Sequence, residues 1–489
     1  MDRRAFLKTA IFGTATISAP GFGYAQAITR PLPIIPMMDV TGGFDGRIAL
    51  ALDPATHDFG NGATSNTFGI NSSYLGPVIR AKQGQTLPFD VTNMIGEGVA
   101  IHWHGLHIPG RVDGGPHQEI ADGATWSPDV PIAQRASMNW FHSHTHGKTA
   151  RQTYSGLAGV LLVEDEDSLV ADLPNSYGVD DFTLILQDKA FDNAGQMTYE
   201  LTGEVFEDGF QGETLVVNGA IAPAMQSVPN GLVRLRILNA CNARFLQLSM
   251  QTGPVTVIAS DGGFLASAVE TDSILLSPGE RYEILVDMQA AQENALRVGL
   301  DGGQGGFFAN MFGGNQIVTA LTLISNGEQG FTATMPDRLA NLAPPDRNAA
   351  TVTRDFELQM DTGADLAALA FAWGNICGDG AMAINGQPMN MDRIDERVRR
   401  GDTEIWRIAV DDMLHPFHIH GCSFRILSQS GTPAPAYAQG WKDMVHVEEG
   451  WSEVLVRFDH EAPDETPYMY HCHILEHEDC GMMGQFTVT

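Results

Sequence analysis

The stretch Gly231-Leu232-Val233-Arg234-Leu235-Arg236-Ile237-Leu238-Asn239 alternates apolar and polar side chains and follows an Asn-Gly turn at Val217-Asn218-Gly219. Alternation with a period of two is typical of a β-strand with one buried face. The other copies of this pattern are Asn71 to Arg80 with Gly84-Gln85-Thr86-Leu87 and Val91-Thr92-Asn93, and Ile384-Asn385-Gly386 with Gly401-Asp402-Thr403-Glu404-Ile405-Trp406-Arg407-Ile408. A threefold internal repeat of this kind predicts three copies of one structural unit.

Alternating strands recur outside the repeat, as in Arg281 to Val286 and Ser452 to Val456, whereas a helix is predicted only at Met391 to Arg400. The sequence therefore predicts an all-β protein made of three consecutive antiparallel β-sandwiches. Acidic or Pro/Asn-rich stretches at Glu164 to Pro174 and Ala343 to Ala350 resemble linkers. The predicted domains are residues 28–165, 166–350 and 351–489.

Residues 1–27 have the features of an export signal. Arg3-Arg4-Ala5-Phe6-Leu7-Lys8 is a twin-arginine pattern, a short apolar run from Thr9 to Ala19 follows, and Ala25-Gln26-Ala27 offers small residues for cleavage. The apolar run is too short to span a bilayer, and no run of 18 or more apolar residues follows it. We expect a periplasmic or secreted protein that does not insert into the membrane once the signal is removed.

The chain of 489 residues is 43% apolar, with a mean hydropathy of −0.08, as in soluble globular proteins. It carries 59 acidic against 28 basic residues, a formal charge of −31. Such a surface repels nucleic acids and anionic lipids. We therefore expect neither as a partner, and we expect the chain to act as a monomer.

Ten of the 16 histidines fall into four short clusters. On a strand, side chains at positions i and i+2 point to the same face, so each His-x-His pair presents two imidazoles together. Imidazole binds copper, zinc, iron and nickel, and histidines alone do not name the metal. The clusters are His102-Trp103-His104, His142-Ser143-His144, His415-Pro416-Phe417-His418-Ile419-His420, and His471-Cys472-His473 with His477.

The cysteine of the last cluster narrows the choice of metal. In His471-Cys472-His473 the two imidazoles face one way and the thiol faces the other. Cys472 can then join His415 and His477, with Met482 as a weak axial ligand and the neighbouring Met483 as its rival. Two histidines, a cysteine and a distant thioether form the blue-copper arrangement. His471 and His473 would meanwhile reach a second metal centre.

With these motifs in this order, the mature chain resembles a three-domain multicopper oxidase of the laccase type, and within that family the bacterial copper-efflux oxidase. The resemblance implies three cupredoxin-like Greek-key β-sandwiches and four copper ions, one of type 1, one of type 2 and two of type 3. It implies four one-electron oxidations of a donor coupled to reduction of dioxygen to two waters. The implied ligands are His415, Cys472, His477 and Met482 for type 1; His102 and His418 for type 2; and His104, His142 and His473, then His144, His420 and His471, for the type 3 pair. No ligand comes from the second domain, which is interpreted as a spacer.

Two acids lie where the resemblance places proton donors. Asp113 follows the first histidine cluster and Glu478 directly follows His477. A carboxylate near several cations can hydrogen-bond water and pass protons inward. The alternative is a loop acid that makes a turn hydrogen bond.

The electron donor is less well defined. Laccase-like proteins oxidise phenols, aromatic amines or low-valent metal ions, and copper-efflux relatives hold a cuprous ion with methionines and aspartates. The matching positions here are Met360, Asp365, Asp411 and Met413. Their alternative role is packing. The chain lacks the long methionine-rich insertion of those relatives, so the blue-copper edge is expected to be more open to bulky organic donors.

Other interpretations remain open from the sequence. A non-enzymatic binding or cell-division relative should lack several ligands, whereas all are present here, and a copper nitrite reductase should have a smaller set. A copper-storage or resistance protein, or a cuprous oxidase, would keep the same ligands. The histidines outside the clusters, including His146, are interpreted as having no ligand role. The cysteines other than Cys472 are expected to be free buried thiols, with one disulfide as the alternative; they are Cys241, Cys377, Cys422 and Cys480.

Overall fold

The computed structural model describes residues 30–201, 203–289, 291–300, 316–360, 382–410, 413–448 and 450–489. Within these residues the chain forms six β-sheets connected by short helices and turns. Three large hydrophobic cores each lie between two of the sheets. The predicted class, an all-β chain of three β-sandwiches, is confirmed. The predicted limits at 165/166 and 350/351 stay predictions.

The first sandwich encloses a core that includes Leu50, Phe89, Trp103 and Phe141. Its strands alternate buried and exposed residues where one face meets solvent, as in Thr86–Asn93. One sheet contains, in spatial order, Met37–Asp39, Val78–Lys82, Ala158–Glu164, Ser137–Ser143 and Ile101–His104. The other contains Ser65–Ile70, Ile48–His57, Thr86–Asn93 and Thr125–Trp126, with Asp129–Pro131 paired to Thr86–Asn93.

The second sandwich has the larger sheets, and its core includes Leu235, Ile237, Leu248 and Leu321. The eight-stranded sheet contains Ala220–Ile221, Thr214–Val217, Asp181–Phe191, Leu232–Asn239, Arg281–Asp287, Val255–Ser260 and Gly263–Thr271, with Met197–Thr198 paired to Asp181–Phe191. The six-stranded sheet contains Arg30–Pro31, Ala224–Asn230, Ile317–Gln329, Glu293–Gly299, Leu246–Met250 and Ile274–Leu276. The strand quoted at the start of the sequence analysis lies at the centre of the larger sheet.

The third sandwich encloses a core that includes Trp406, Phe417, Tyr470 and Cys472. One sheet contains Met382–Ile384, Val352–Met360, Thr403–Val410, Trp451–Arg457 and Phe424–Ser428. The other contains Glu396–Val398, Met483–Val488, Tyr468–Cys472, His415–Ile419 and Met444–Val447. The second of these sheets supplies the strands on which the third and fourth histidine clusters begin.

The threefold repeat has a structural counterpart in three asparagines. Asn71, Asn218 and Asn385 have φ angles of 57°, 51° and 54°, in the left-handed region that asparagine tolerates better than most residues. The amide side chain of Asn218 accepts from the backbone N–H of Ile185 and donates to the carbonyl of Thr183. The side chains of Asn71 and Asn385 make the same pair of bonds in their own sandwiches. In each repeat, the asparagine side chain therefore joins its turn to a neighbouring strand by two hydrogen bonds.

The described α-helices are short: α1 is Thr149–Tyr154, α2 is Glu166–Val170, α3 is Gly203–Asp208 and α4 is Leu475–Asp479. None of them is long and apolar enough to cross a membrane. The helix predicted at Met391 to Arg400 is wrong, because the strand Glu396–Val398 pairs there in parallel with Met483–Val488. Sheet pairing has overridden a weak local preference.

The first and third sandwiches meet along a surface that brings their histidines together. The hydroxyl of Tyr468 donates to the carbonyl of Ile108 at 2.5 Å, and the backbone N–H of Gly110 donates to the carbonyl of Glu461 at 2.9 Å. A Cβ at Gly110 would lie 2.3 Å from the carbonyl oxygen of Thr466, so only glycine fits this approach. The four histidine clusters lie at this junction.

Candidate metal centre

Strand register places the histidines in matched pairs. His142 lies directly opposite His102 on the neighbouring strand, and His418 lies directly opposite His471. Residues paired in this way project from the same face of a sheet. The two sheets therefore each present two histidine clusters toward the other sandwich.

Eight of the histidines form one buried cluster, in which none is more than 1% exposed. Pairs from the two sandwiches stack face to face, with ring centroids 3.7 Å apart for His102 and His420 and for His104 and His418. Groups of three have one donor nitrogen each within 4.8 Å of the others, as metal ligands require. These groups are His102, His104 and His418; His104, His142 and His473; and His144, His420 and His471.

Hydrogen bonds to one ring nitrogen fix the tautomer of most of these imidazoles. The Nδ1–H groups of His102, His142 and His418 donate to the backbone carbonyls of Asp113, Ser143 and Asp443 at 2.8–2.9 Å. Their Nε2 atoms are buried and have no hydrogen-bond partner. A metal-bound histidine usually donates its other ring N–H to a carbonyl in this way. The hydrogen bond orients the ring so that the lone pair of the unprotonated nitrogen points at the ion.

The group of His144, His420 and His471 gives a second test of whether these residues fit a metal ion. Nδ1 of His420 donates to Asp113 at 2.7 Å and Nδ1 of His471 donates to the Cys472 carbonyl at 2.9 Å. The three Nε2 atoms lie 3.1–3.4 Å from one another. The tautomers fixed at His420 and His471 leave both of their Nε2 atoms as bare lone pairs, and two acceptors at this spacing cannot hydrogen-bond each other, so a shared cation accounts for their approach. The residues present therefore fit a polynuclear metal cluster.

Burial lowers the pKa of six of these eight imidazoles, those of His104, His142, His144, His418, His420 and His473. It lowers the pKa of His473 to about 3, with the charge of His471 adding to the effect. It also lowers the pKa of His144 to about 3, in spite of the nearby Glu478 carboxylate. A neutral imidazole has a lone pair free for a metal ion, so these six side chains are ready to bind at ordinary pH.

A separate donor set lies on the other face of the strand Tyr468–Cys472. The thiol Sγ of Cys472 is 3.3 Å from His415 Nδ1 and 3.8 Å from His477 Nδ1. All three side chains are fully buried. The strand thus directs the thiol toward one donor set and its neighbour His471 toward the other, as the alternation in sequence predicts.

Strand register distinguishes the two candidate methionines. Met483 pairs directly with His471, so its side chain lies on the face of the histidine cluster. The carbonyl of Met482 accepts from the Cys472 N–H at 3.1 Å, and its own N–H donates to the carbonyl of His477 at 2.9 Å. Met482 is therefore next to Cys472 in register and shares its face.

Both predicted acids contact histidines of the cluster rather than a turn. Asp113 bridges His420 and His102, with Oδ2 at 2.7 Å and 3.4 Å from their Nδ1 atoms. Glu478 bridges His144 and His471, at 3.3 Å and 3.1 Å. Burial tends to raise the pKa of Glu478, but the neighbouring His144 and His471 outweigh it and hold the pKa well below its usual range. Each carboxylate thus joins histidines of different sequence clusters.

The edge of the cysteine-containing set is covered by a segment that sequence reasoning missed. Nε2 of His477 donates to the backbone carbonyl of Glu207, on α3, at 3.0 Å. His477 and His415 are both 0% exposed. Both imidazoles are therefore covered in this chain, and the expectation of an edge more open than in the copper-efflux relatives stays a prediction. No sequence pattern marked the cover, because the bond is made by a backbone carbonyl.

Of the four candidate donor-site residues, two can be placed. Met360 and Met413 are partly buried and pack against the third core, the same core that contains Cys472 and Met482. Asp365 and Asp411 lie outside the described residues.

The cysteines depart in part from expectation. Cys241 and Cys422 are free and buried, as predicted. Cys480 is disulfide-bonded, so the prediction of a free thiol is wrong there. Cys377 lies outside the described residues. Sequence spacing could not reveal the bond, because pairing follows from the fold rather than from cysteine count.

A buried cluster of histidines beside a two-histidine, one-cysteine set, both on β-sandwiches, defines a class of copper redox protein with several metal sites. Residues 52–168, 162–312 and 351–489 each match a multicopper oxidase family model. The chain belongs to the multicopper oxidase family, and its sandwiches are cupredoxin-like. Copper binding follows at this general level from family membership and the histidine groups.

The similar proteins are named either as cell division proteins or as multicopper oxidases. The chain is 37% identical, over its whole length and 98% of the relative, to cell division protein FtsP of Sodalis glossinidius, and 34% identical to FtsP of Escherichia coli, over its whole length and 99% of that protein. The laccase-like multi-copper oxidase CueO of Ochrobactrum sp. superposes with a TM-score of 0.86 at 40% identity, over 94% of this chain and all of that one. McoA of Aquifex aeolicus superposes at 0.81 with 31% identity, over 94% and 99%.

Proposed function

We propose that the chain is a copper-dependent oxidoreductase that couples four one-electron oxidations of a donor to reduction of dioxygen to two waters. The observation that carries the proposal is the tripeptide His471-Cys472-His473. Its thiol lies 3.3 Å from His415 Nδ1, while Nε2 of His471 lies 3.3 Å from His144 Nε2 in the buried cluster. One short stretch of backbone thus contributes to two donor sets.

The proposed complement is four copper ions. Cys472, His415, His477 and Met482 would hold the type 1 ion, and His102 and His418 the type 2 ion. The type 3 pair would be held by two groups of three histidines whose donor atoms already converge. These groups are His104, His142 and His473, and His144, His420 and His471. The unpartnered buried nitrogens at His102, His142 and His418 support this complement.

When bound, copper supplies one-electron redox chemistry, with donor oxidation at the thiolate-bound ion and dioxygen reduction at the histidine cluster. The protein's own residues supply the connection between the two donor sets and the carriers of protons. Cys472 connects the two sets through its peptide bonds to His471 and His473. Asp113 and Glu478 hold imidazole N–H groups and are the proposed carriers of protons into the cluster, because each is a buried carboxylate in contact with two of its histidines.

For the donor, we propose phenols, aromatic amines or low-valent metal ions. The similar Ochrobactrum protein has oxidase activity toward lignin model compounds and lignosulfonate. The Glu207 carbonyl on Nε2 of His477 favours small donors over bulky ones in this chain. Met360 and Met413, on the core that holds Cys472, remain candidates for a cuprous-ion site.

The remaining parts of the proposal concern the whole chain. Residues 1–27 would direct export of the folded protein by the twin-arginine route to the periplasm or beyond. The domains would span 28–165, 166–350 and 351–489, and the chain would act as a monomer on dioxygen and its donor.

A role in cell division without oxidase activity is the second candidate. It is favoured by the full-length similarity to FtsP proteins at 34–37% identity. The complete donor sets favour the oxidase instead, because a chain that does not bind copper has no need of buried histidine nitrogens without a hydrogen bond, such as Nε2 of His102, His142 and His418.

The two candidates differ in copper content and turnover. Copper-loaded protein would be assayed for metal per chain and for steady-state oxygen uptake with a phenol, Cu(I), Fe(II) and Mn(II). The oxidase proposal expects about four coppers and turnover with at least one donor. Protein that binds no copper under reconstitution, or that binds it and consumes no oxygen with any donor, would contradict it.

A further inference from the structure

Arg281 begins a strand of the second sandwich, yet its guanidinium reaches into the junction between the other two. The side chain is 0% exposed and donates two bonds to the carboxylate of Asp443, at 2.5 Å and 2.7 Å. Its other three bonds go to the carbonyls of Met138, Gly279 and Asp261, at 2.9–3.2 Å. All five N–H donors of the arginine are used, so its orientation is fixed.

Asp443 in turn contacts two histidines of the cluster. Its Oδ1 lies 3.2 Å from Nε2 of His104, and its backbone carbonyl accepts the Nδ1–H of His418 at 2.8 Å. The first contact places a proton on Nε2 of His104 and leaves Nδ1, which is buried without a partner, as the free lone pair. The carboxylate therefore selects the tautomer of His104.

The orientation of the Asp443 carboxylate depends on the arginine. A carboxylate that is 1% exposed loses its hydration, and a bidentate guanidinium is the partner that best replaces it. Without Arg281, the carboxylate loses the two hydrogen bonds that fix its direction and is expected to turn away from the cluster. It would then no longer hold the Nε2–H of His104.

A second contact from the same sandwich is made by the backbone at Gly279, whose carbonyl also accepts a hydrogen bond from Arg281. Gly279 has a φ of 81°, and a Cβ built on it would lie 2.9–3.0 Å from three ring atoms of His473. Both ring nitrogens of His473 have no hydrogen-bond partner, so packing rather than hydrogen bonding sets its orientation. The backbone at Gly279 is part of that packing, and a side chain there would push the ring.

His104 and His473 belong, with His142, to one group of convergent donors. Asp113 and Glu478 instead contact His420, His144 and His471 of the other group, and also His102. We propose that Arg281 and Gly279 are positioning residues that make the second sandwich responsible for the geometry of the His104, His142 and His473 site. The proposal deepens the proposed function and rests on it. The interpretation of this region as a spacer is then incomplete.

The test compares four variants with the full-length protein. Arg281→Met is matched by Arg234→Met, which removes a buried arginine of the same sheet that is paired with Glu283. Gly279→Ala is matched by Gly253→Ala, a glycine with a φ of 77° and no atom within 4 Å of the added Cβ. Copper per chain, the blue thiolate absorption and the near-ultraviolet absorption of the coupled copper pair are measured for each.

Arg281→Met and Gly279→Ala are expected to keep the blue absorption and to lose the pair absorption and about one copper per chain. Arg234→Met and Gly253→Ala are expected to keep all three. Retention of the pair absorption and full copper in both test variants would overturn the proposal. Equal loss in the matched controls, with equal lowering of the apoprotein melting temperature, would also overturn it, because the role would then be folding alone.

A copper-free readout separates this inference from the proposed function. Nitrogen-15 NMR of the apoprotein should show His104 protonated at Nε2 in the wild type and in Arg234→Met, and a loss of that tautomer in Arg281→Met. An unchanged tautomer in Arg281→Met would overturn the inference even if the wild type binds copper. If Arg281→Met changes the tautomer as expected but the wild-type protein binds no copper, the proposed function is contradicted rather than the inference.

Discussion

Cys472 has two neighbours in sequence that serve a different donor set from its own. This division depends on the period of two in an extended strand, and it is visible in the sequence because His471 and His473 flank the cysteine directly. The structure brings the thiol to 3.3 Å from His415, 57 positions earlier in the chain. Local spacing predicted the pattern, and the fold supplied the distant partner.

At this position we predict that Cys472→Ser abolishes the blue absorption and lowers oxygen uptake by at least about 100-fold, since loss of a direct ligand should exceed the 10–100-fold effect of its hydrogen-bond partners. Cys422→Ala is the matched control, because Cys422 is a free thiol buried in the same core. Spectra and oxygen-electrode rates are compared for both. Intact oxygen uptake in Cys472→Ser would contradict the assignment.

A second prediction concerns the axial position. Met482→Leu should raise the reduction potential of the blue site while keeping its colour, because a thioether that donates weakly to Cu(II) is lost. Met483→Leu should leave the potential unchanged, since Met483 shares a face with His471. Redox titration of the blue band measures both. A shift in Met483→Leu and none in Met482→Leu would reverse the assignment.

The sequence alone could not predict that Arg281 and Asp443 position histidines of the cluster. Arg281 and Asp443 are 162 positions apart, and neither lies in a motif that marks metal chemistry. Asp443 stands in Trp441-Lys442-Asp443, an ordinary loop sequence. Their role depends on which sandwich edge meets which, and single-residue patterns carry no such information.

At the scale of elements, alternating strands were the reliable signal. The stretches predicted at Arg281 to Val286 and Ser452 to Val456 lie within the strands Arg281–Asp287 and Trp451–Arg457. The prediction failed at Met391 to Arg400, where a three-residue strand gains its stability from pairing with Met483–Val488. The α3 cover was equally invisible, since its contact with His477 uses a backbone carbonyl.

We predict that α3 limits access to the blue site. Replacement of residues 203–208 by a Gly-Ser linker should raise kcat/KM for a bulky phenol by about ten-fold, or about 1.4 kcal/mol of barrier. The rate with Fe(II) should change far less, because a small ion needs no such opening. The matched control replaces α2, Glu166–Val170, in which no residue is buried. Equal effects on both donors would show that α3 does not select by size.

At the scale of the whole molecule, the contacts between sandwiches include a buried lysine. Lys189 of the second sandwich donates to the carbonyl of Tyr154 in the first at 2.6 Å, with its ammonium 3.7 Å from the centre of the Tyr154 ring. Burial lowers the pKa of Lys189 to about 7. The sequence predicted three sandwiches but not this junction, because it depends on how they pack.

The sign of the resulting pH effect follows from proton counts. Between about pH 7 and 10.5 the folded lysine is neutral while the unfolded one is charged, so the unfolded state binds one more proton and stability rises with pH. Relative to Lys189→Met, the free energy of unfolding of the wild type should rise by about 1.4 kcal/mol per pH unit over this window. Lys189→Arg, which does not titrate there, should lack the rise as well. Parallel denaturation results for wild type and Lys189→Met at pH 7, 8 and 9 would contradict the prediction.

Counting the electrons delivered to each dioxygen shows whether the chain is a four-electron oxidase. Copper-loaded protein would be given a one-electron donor in a sealed oxygen-electrode cell, with donor oxidised, oxygen consumed and hydrogen peroxide measured together. We expect four donor equivalents per dioxygen and no accumulated peroxide. Two equivalents per dioxygen with peroxide released, or no oxygen uptake by fully copper-loaded protein, would contradict it.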